Sequence, residues 1–320
     1  MESDTAFDPR ALVAWFEDRF VPFHEVAVPC WDYGFTMGVA ITEQLRTYDG
    51  KLPLLDRHLN RFAAGASAID IQIDRQRLAY LIQETVQRNQ SGSPTATEFG
   101  GEFSVNVVVT AGDHAARLPH PAGSHTQGIG RSLIGHRLLI TAIPLQNHWQ
   151  EMAQTGVKLV AVNRPEIPAA CLPKQLKCRS RMHYYLAERE ASRLRPGSLA
   201  LMRDVKGCYL EGTTASLVLS IEGHLVAPPA ADVLPSISVE VLQEVISPKL
   251  GLPFQRRPID QITLASADAW YWLSTPFAIL PVSEIAILEQ AEQPILIQRE
   301  PGKQYGDLLA AWRDQIGWPW

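Results

Sequence analysis

Alternation of apolar and polar residues predicts short strands near the start of the chain. Residues 12–30 alternate around a turn at Glu17–Arg19, which predicts a strand pair. The stretch 39–55 predicts a hairpin with Asp49 and Gly50 as its turn residues, because Asp-Gly favours the left-handed backbone of a two-residue turn.

Apolar residues then take helical spacing over 55–69 and over 74–89, which predicts two amphipathic helices. Runs rich in β-branched residues at 104–111 and 137–145 predict two strands. Residues 112–136 between them are rich in Gly, His, Pro and Ser. A connection that long in a compact domain is usually functional or disordered.

The second half mixes strands and helices without regular strand–helix alternation. The predicted elements are a strand at 157–162, a helix at 176–194, strands at 198–203 and 215–221, a helix at 238–250, a strand at 253–258, an apolar segment at 270–282 and a helix at 303–316. This pattern predicts an α/β (α+β) fold of two domains rather than a doubly wound sheet. We expect a smaller N-terminal α/β domain over 1–150 and a larger C-terminal domain over 151–320.

Composition narrows the class of protein. The chain has 320 residues, of which 46% are hydrophobic and 20% charged, with a net charge of −5 and no basic run. This composition indicates a globular protein without an electrostatic surface for nucleic acid or membrane. The four cysteines are scattered, the first residues lack a signal-peptide pattern, and no apolar stretch approaches the ~20 residues that span a bilayer. We therefore expect a cytoplasmic protein.

Lys177 is the first candidate for chemistry. It follows the run IPAACLPKQL at the front of the predicted 176–194 helix. A lysine that acts as a nucleophile must be partly desolvated, so that its amine is available unprotonated. Taken alone, Lys177 is better explained as a solvated lysine at a helix end, and Lys174 is a rival that we expect to be more exposed.

Four further motifs carry polar groups on or beside predicted elements: Arg61 in DRHLNRF, Glu211 in YLEGTTAS, Ser236 and Ser238 in LPSISVEV, and Ser274-Thr275 in LSTPF. Alone, each is explained by solvation or by helix capping. The serines also lie at a helix start, where free backbone N–H groups attract a phosphate.

The order and spacing of these motifs resemble the class IV aminotransferases, which are fold type IV pyridoxal-phosphate enzymes. That family includes branched-chain and D-amino acid aminotransferases and aminodeoxychorismate lyase. The resemblance extends from about Asp32 to Val282 and rests on short motifs. The matching positions are Arg61 in the family's H-x-x-R-L/F segment, Lys177 as the Schiff-base lysine, Glu211 facing the pyridine nitrogen, Ile237 and Ser238 as phosphate-binding amides, and Thr275 as the last phosphate ligand.

The resemblance implies pyridoxal 5′-phosphate as the cofactor, bound in a cleft between the two domains of a homodimer subunit. It implies that Lys177 forms a Schiff base with the cofactor and then moves a proton between the substrate Cα and the cofactor C4′. It further implies that Glu211 keeps the pyridine nitrogen protonated.

The sequence departs from the family's pattern at two places. Gly38-Val39-Ala40 stands where members often have Gly-Asp-Gly, and Ser216 stands where an asparagine is expected. Neither position is among the cofactor residues, so these departures bear on the substrate rather than on the family.

Three positions bear on the reaction. Glu43 matches a position where transaminases have glutamate and the lyases threonine, which favours transamination. Thr42 stands at the position of a substrate-pocket tyrosine in the D-amino acid enzymes, so specificity for D-amino acids is less favoured. Arg117, in the loop 112–136, is either a ligand of the substrate carboxylate or a solvated residue. The loop's histidines, His114, His120, His125 and His136, have no zinc spacing, and we expect no metal.

These expectations combine into one hypothesis and its alternatives. An amino group passes from an amino acid, with branched-chain side chains favoured, to a 2-oxo acid. An aminodeoxychorismate lyase is the first alternative. A transaminase-like binding protein without activity is a second, supported only by the missing Gly-Asp-Gly, and a hydrolase without pyridoxal phosphate is more remote.

Overall fold

A computed structural model describes residues 9–92, 101–114, 135–145, 149–287 and 294–317. The chain divides into two compact units. The first contains Met1–Gln146 and Leu176–Ser180, and the second contains Asn147–Gln175 and Arg181–Trp320. Both units mix helices and strands, in agreement with the predicted α/β (α+β) class.

The first unit is built on a five-stranded antiparallel sheet in the order β2-β1-β5-β4-β3. Its strands are β1 (Val13–Phe16), β2 (Arg19–Pro22), β3 (Ala40–Arg46), β4 (Phe103–Thr110) and β5 (Arg137–Pro144). Its helices are α1 (Tyr33–Met37), α2 (Leu55–Ser67) and α3 (Arg75–Gly92), and short 3-10 turns cover Pro9–Ala11 and Phe23–Glu25. These elements confirm the strand pair, the two helices and the two strands predicted for this part of the chain.

The core of the first unit follows from two periodicities. Every second residue of β4, from Val105 to Val109, is buried, while Leu59 and Phe62 of α2 recur at helical spacing on the same cluster. The alternation buries one face of the sheet against α2 and α3.

The predicted turn at Asp49-Gly50 is confirmed, since both residues have positive φ (50° and 69°). The predicted return strand is wrong. It is reduced to one bridge between Tyr48 and Lys51, and β3 pairs with β4 instead. Pro53 has no amide donor, and the chain passes directly into α2.

The side chain of Asp32 holds the segment that precedes β3 in place. Its buried carboxylate accepts hydrogen bonds from the Gly34 amide at 2.6 Å and the Thr110 hydroxyl at 2.8 Å, and it pairs with Arg137 at 2.8 Å. The amide contact caps α1, so Asp32 ties this helix to the ends of β4 and β5.

The second unit is built on a nine-stranded mixed sheet in the order β11-β10-β9-β12-β13-β6-β7-β8, with β14 also on β13. Its strands are β6 (Val157–Pro165), β7 (Leu199–Arg203), β8 (Tyr209–Gly212), β9 (Ser216–Ile221), β10 (His224–Ala227), β11 (Phe254–Arg256), β12 (Ala269–Ser274), β13 (Ala278–Ile287) and β14 (Ile295–Gln298). Because β8 also pairs with β9, the strands from β9 through β12, β13, β6 and β7 to β8 form a closed circuit. The predicted strands at 157–162, 198–203, 215–221 and 253–258 are confirmed, and the apolar segment 270–282 is a strand pair.

The helices of the second unit surround this sheet. They are α4 (Trp149–Thr155), α5 (Met182–Leu194), α6 (Ile237–Val241), a π-helical turn (Leu242–Ile246), α7 (Ser247–Lys249), α8 (Gln261–Ser266) and α9 (Tyr305–Ile316). The helices predicted at 238–250 and 303–316 are confirmed. Two tryptophans of β12, Trp270 and Trp272, are fully buried and lie in the largest apolar cluster of the unit.

The helix predicted at 176–194 begins only at Met182. Residues Leu176–Ser180 instead join the first unit, where Ile41 of β3 forms an antiparallel bridge with Cys178. The prediction that a helix begins at Lys177 is therefore wrong. The backbone groups of this segment instead form hydrogen bonds with β3, an edge strand that is distant in the sequence. Within the described ranges, the structure has no helix long and apolar enough to cross a bilayer.

Candidate active site

Lys177 lies on the edge of the first unit's sheet. Its carbonyl accepts a hydrogen bond from the Thr42 amide at 2.8 Å, and the Arg179 amide donates to the Ala40 carbonyl at 2.9 Å. The Ser180 hydroxyl donates to the Gly38 carbonyl at 3.0 Å. These contacts hold the segment that contains Lys177 as a short added strand, with Lys177 opposite Thr42.

Glu43, the next residue of β3, holds Arg61. The Arg61 Nε–H and Nη2–H groups donate to the two oxygens of Glu43 at 2.9 and 2.5 Å. The ring of His58, one helical turn before Arg61 on α2, contacts the same carboxylate through Nδ1 at 3.0 Å. Sequence reasoning had matched Arg61 to a phosphate ligand and Glu43 to a substrate-selecting position; the structure pairs them.

The electrostatics of this cluster keep Glu43 ionised. Burial by itself raises the pKa of Glu43, but the Arg61 charge and the hydrogen bonds from His58 and Arg61 outweigh it and hold the pKa at about 2. Burial has the largest effect on His58 and lowers its pKa; Glu43 opposes this shift, while the charges of Arg61 and Lys177 lower the pKa further. We therefore assign a neutral His58 that donates its Nδ1–H, because an ionised carboxylate only accepts.

Thr42 is buried, and its hydroxyl has no hydrogen-bond partner among the described residues. A buried hydroxyl without a partner is uncommon. The first unit thus brings together Lys177, Thr42, Glu43 and Arg61.

The sequence contains a signal for the Glu43 pairing. Glu43 stands within VAITEQL, a largely apolar run in the predicted hairpin 39–55. A carboxylate in such a run requires a cationic partner. Arg61, on the helix that follows this strand in the sequence, is that partner.

In the second unit, Glu211 lies where β8 meets β9, with Ser216 as its strand partner. Its buried carboxylate accepts a hydrogen bond from the Leu234 amide at 2.9 Å. A cavity of about 10 Å³ beside it is lined by Glu211, Ser216, Ser236 and Arg256 among others. This volume matches one water molecule. The unit therefore brings Glu211 and the LPSIS motif to one place.

The turn after Glu211 is held from several sides. The Gly212 amide donates to the Ala215 carbonyl at 2.8 Å, and the Ser274 hydroxyl donates to the Thr214 carbonyl at 2.7 Å. The Arg181 guanidinium donates to the Thr213 carbonyl. The contact from Ser274 ties the end of β12, directly before Thr275, to this turn.

Ile237 and Ser238 are the first two residues of α6, and both are buried. Ser236 caps the helix, since its hydroxyl accepts from the Val239 amide at 3.4 Å. The amides of Ile237 and Ser238 occupy the first turn, where N–H groups have no acceptor within the helix. Arg117, His120 and His125 lie outside the described residues.

Lys174, which we expected to be more exposed than Lys177, has a side chain that is 10% exposed and pairs with the buried Glu166 at 2.9 Å. The described residues contain no group of three or more His, Cys, Asp or Glu side chains arranged to hold a metal ion.

The two sets of residues match the functional groups of pyridoxal phosphate. A guanidinium presents its N–H donors in a planar fork, so Arg61 suits a phosphate, as do first-turn amides. Glu211 is a buried carboxylate suited to a protonated ring nitrogen, and Lys177 is an amine suited to an aldehyde. The donor set fits the cofactor.

Comparison with known proteins gives relatives at low identity. A putative branched-chain-amino-acid aminotransferase of Methanocaldococcus jannaschii is 24% identical over 275 residues, which are 85% of this chain and 87% of that protein. A D-alanine aminotransferase of Bacillus licheniformis is 24% identical over 276 residues, which are 84% and 87% of the two chains.

Solved structures share the fold. The branched-chain aminotransferase of Thermoproteus uzoniensis with norvaline aligns with a TM-score of 0.75 at 21% identity and covers 96% of both chains. The T.th. branched-chain amino acid aminotransferase with pyridoxamine 5′-phosphate gives 0.76 at 20% identity, covering 98% of this chain and 96% of that chain. The 4-amino-4-deoxychorismate lyase of Pseudomonas aeruginosa gives 0.73 at 22% identity, covering 94% and 98%. The fold is that of the two-domain fold type IV pyridoxal-phosphate enzymes.

The sequence model of the amino-transferase class IV family matches residues 40–285, a segment that includes all the cofactor positions predicted above. Because that match covers well over half of the chain, this protein belongs to the class IV aminotransferases, a family of pyridoxal-phosphate-dependent enzymes.

Proposed function

We propose that this protein binds pyridoxal 5′-phosphate through Lys177 and transfers an amino group from an amino acid to a 2-oxo acid. One observation carries the proposal. Lys177 pairs with Thr42 on β3, and the adjacent residue, Glu43, holds Arg61. The candidate amine and the candidate phosphate ligand are therefore set by neighbouring residues of one strand.

Pyridoxal phosphate, when bound, supplies an aldehyde for the substrate amine and a ring that accepts electrons from the substrate carbon. Arg61 and the Ile237 and Ser238 amides would bind its phosphate, with Thr275 as a further ligand. Glu211 would hold a proton on the ring nitrogen, and Lys177 would carry a proton to and from the substrate carbon.

We propose a supporting role for Glu43 in place of a substrate contact. Both of its oxygens bond Arg61, and the side chain is 1% exposed. A bidentate carboxylate restricts a guanidinium to one plane, so that its other donors point in a fixed direction. Thr42, whose buried hydroxyl lacks a partner among the described residues, and Arg117 remain the proposed substrate residues.

Branched-chain L-amino acids are the proposed donors, supported by the branched-chain relatives at 24% identity. A 4-amino-4-deoxychorismate lyase is the second candidate, supported by the fold that this chain shares with such an enzyme. The glutamate at position 43 favours transamination over this lyase, whose members have threonine there.

We further propose a homodimer in the cytoplasm. Four large apolar side chains within ten residues of the first unit, Val28, Trp31, Phe35 and Met37, are 40 to 72% exposed. Exposed apolar clusters of this kind support contact with another protein surface. The four cysteines are all free, which supports a reducing compartment.

The test is the visible spectrum of the protein supplied with pyridoxal phosphate, before and after L-leucine, L-glutamate, D-alanine or aminodeoxychorismate. We expect a visible band that bleaches with L-leucine and L-glutamate. Pyruvate and aminobenzoate from aminodeoxychorismate, with the band restored, would identify the lyase instead.

Lys177→Ala should abolish that band, while Lys206→Ala, in an exposed turn of the second unit, should retain it. A wild-type protein that never develops the band would overturn the cofactor assignment and favour a binding protein without activity. A Lys177→Ala variant with wild-type turnover would overturn the lysine assignment.

A further inference from the structure

A second buried cluster of charged residues lies in the second unit, among residues that the proposed reaction does not use. Glu166 follows the end of β6 and is 3% exposed. Its Oε1 atom contacts the Lys174 Nζ at 2.9 Å and the His183 Nε2 at 3.3 Å. The Lys174 and His183 side chains are 10% and 14% exposed, so all three groups are largely removed from water.

The carboxylate itself is anchored firmly. The Glu166 amide donates to the Arg203 carbonyl of β7 at 2.8 Å, and the Ile167 amide donates to Glu166 Oε1 at 3.0 Å. Burial lowers the pKa of His183, against the effect of Glu166, and the Lys174 charge lowers it further. Lys174 therefore supplies the charge that balances Glu166, and His183 completes the cluster as a neutral ring.

The positions of these partners in the sequence give the cluster its significance. Lys174 stands three residues before Lys177, and His183 stands six residues after it. One buried carboxylate thus contacts a residue on each flank of the segment Leu176–Ser180.

The contacts of that segment with β3 and the residues before it include two backbone bonds, at Thr42 and Ala40, and the bond from the Ser180 hydroxyl to Gly38. Leu176 and Cys178 also pack against the apolar cluster of the first unit. Fixing five residues in an extended conformation loses conformational entropy, which these contacts must offset. Flanks that are already held reduce that loss, because they limit the conformations of the chain between them.

We propose that Glu166, Lys174 and His183 are positioning residues that hold the segment Leu176–Ser180 in register on β3 and thereby orient Lys177. The significance for catalysis rests on the proposed function of Lys177, whereas the effect on the segment does not. Lys174 and His183 both contact Glu166, and Glu166 is fixed by the backbone beside it, so the three residues act through the chain that they restrain.

The first measurement is amide hydrogen exchange of the apoprotein over 172–183, with the Arg179 amide as the reporter. Glu166→Gln removes the charge and keeps the shape. We expect exchange at Arg179 to accelerate about tenfold or more, as loss of one buried charged hydrogen bond predicts. Lys174→Met removes the ammonium group that pairs with Glu166, at a side chain that is more accessible than Glu166. It should give the same acceleration, and it tests the proposal if Glu166→Gln does not fold.

Glu284→Gln is the matched control. Glu284 is also 3% exposed in the second unit and pairs with Arg195 at 2.5 Å, so its loss breaks an equivalent buried ion pair. It should leave exchange at Arg179 unchanged. Equal acceleration by Glu166→Gln and Glu284→Gln, or none by Glu166→Gln and Lys174→Met, would overturn the proposal.

The second measurement connects the cluster to Lys177. Titration with pyridoxal phosphate, followed by the visible band and its dependence on pH, should show binding weakened about tenfold and a displaced pH midpoint in Glu166→Gln. Glu284→Gln should reproduce the wild-type titration. If the wild-type protein gives no band, the proposed function fails while amide exchange still decides the positioning role. Accelerated exchange with an unchanged titration would overturn the orientation of Lys177.

Discussion

Glu43→Gln is the substitution whose outcome follows most directly from the structure. Glutamine keeps the size of the side chain but removes the charge that faces Arg61, whose side chain is only 12% exposed. Arg61 would then be a largely buried cation without its carboxylate. Removing one partner of a buried ion pair typically costs about 3–5 kcal/mol.

The pKa of Glu43 gives an independent magnitude. A value of about 2, against 4.5 for an ordinary glutamate, corresponds to about 3 kcal/mol of stability. Because the folded-state pKa is the lower one, this stability is present above pH 4.5 and is lost as the pH falls toward 2. The difference in unfolding free energy between wild type and Glu43→Gln should therefore be largest near neutral pH and shrink below about pH 4.5.

Amide exchange of α2 at increasing urea concentrations measures the free energy of unfolding of the first unit. The matched control is Glu84→Gln on α3, whose carboxylate pairs with the half-exposed Arg88 at 2.8 Å. An exposed pair four residues apart on a helix contributes below about 0.5 kcal/mol. Similar losses in the two variants, or a Glu43→Gln loss that is constant from pH 7 to pH 3, would refute the reasoning.

Two further substitutions test the packing of the second unit and the assembly. Gly212→Ala would place a Cβ 2.2 Å from the buried ring of Trp272 and should lower the unfolding free energy by about 3 kcal/mol or more, whereas Gly306→Ala, with no atom within 4 Å of its Cβ, should be neutral or slightly stabilising in urea unfolding. Phe35→Glu, at a side chain that is 72% exposed, should shift the mass measured by light scattering from dimer to monomer, and Tyr80→Glu, at 62% exposed on α3, should not. A dimeric Phe35→Glu protein would place the interface elsewhere.

Local sequence patterns predicted the buried face of a helix or strand wherever buried residues repeat along it at a regular interval. Leu59 and Phe62 set the buried face of α2, and the alternation from Val105 to Val109 set that of β4. In both cases the period in the sequence and the period of the backbone are the same, so pattern and structure agree. The motif order likewise located Arg61 on its helix.

Those local patterns did not predict contacts between segments that are distant in the sequence. The residues after Lys177 continue the helical pattern of α5, and nothing local reveals that the Arg179 amide bonds Ala40 of β3. The same limit hid Glu166, because Lys174, which neutralises it, lies on a turn farther along the chain. Only the rule that a buried charge needs a partner predicts contacts between residues so far apart in the sequence.

The membership of Leu176–Ser180 in the first unit constrains how the protein is synthesised. The chain leaves the first unit at Gln146, returns to it for five residues, and leaves again at Arg181. A nascent chain that ends at residue 146 therefore displays β3 as an open edge, with the Thr42 amide and Ala40 carbonyl lacking the partners they have in the full chain. Open edges invite pairing with other chains. The first unit therefore completes its sheet only after residue 180 has emerged from the ribosome.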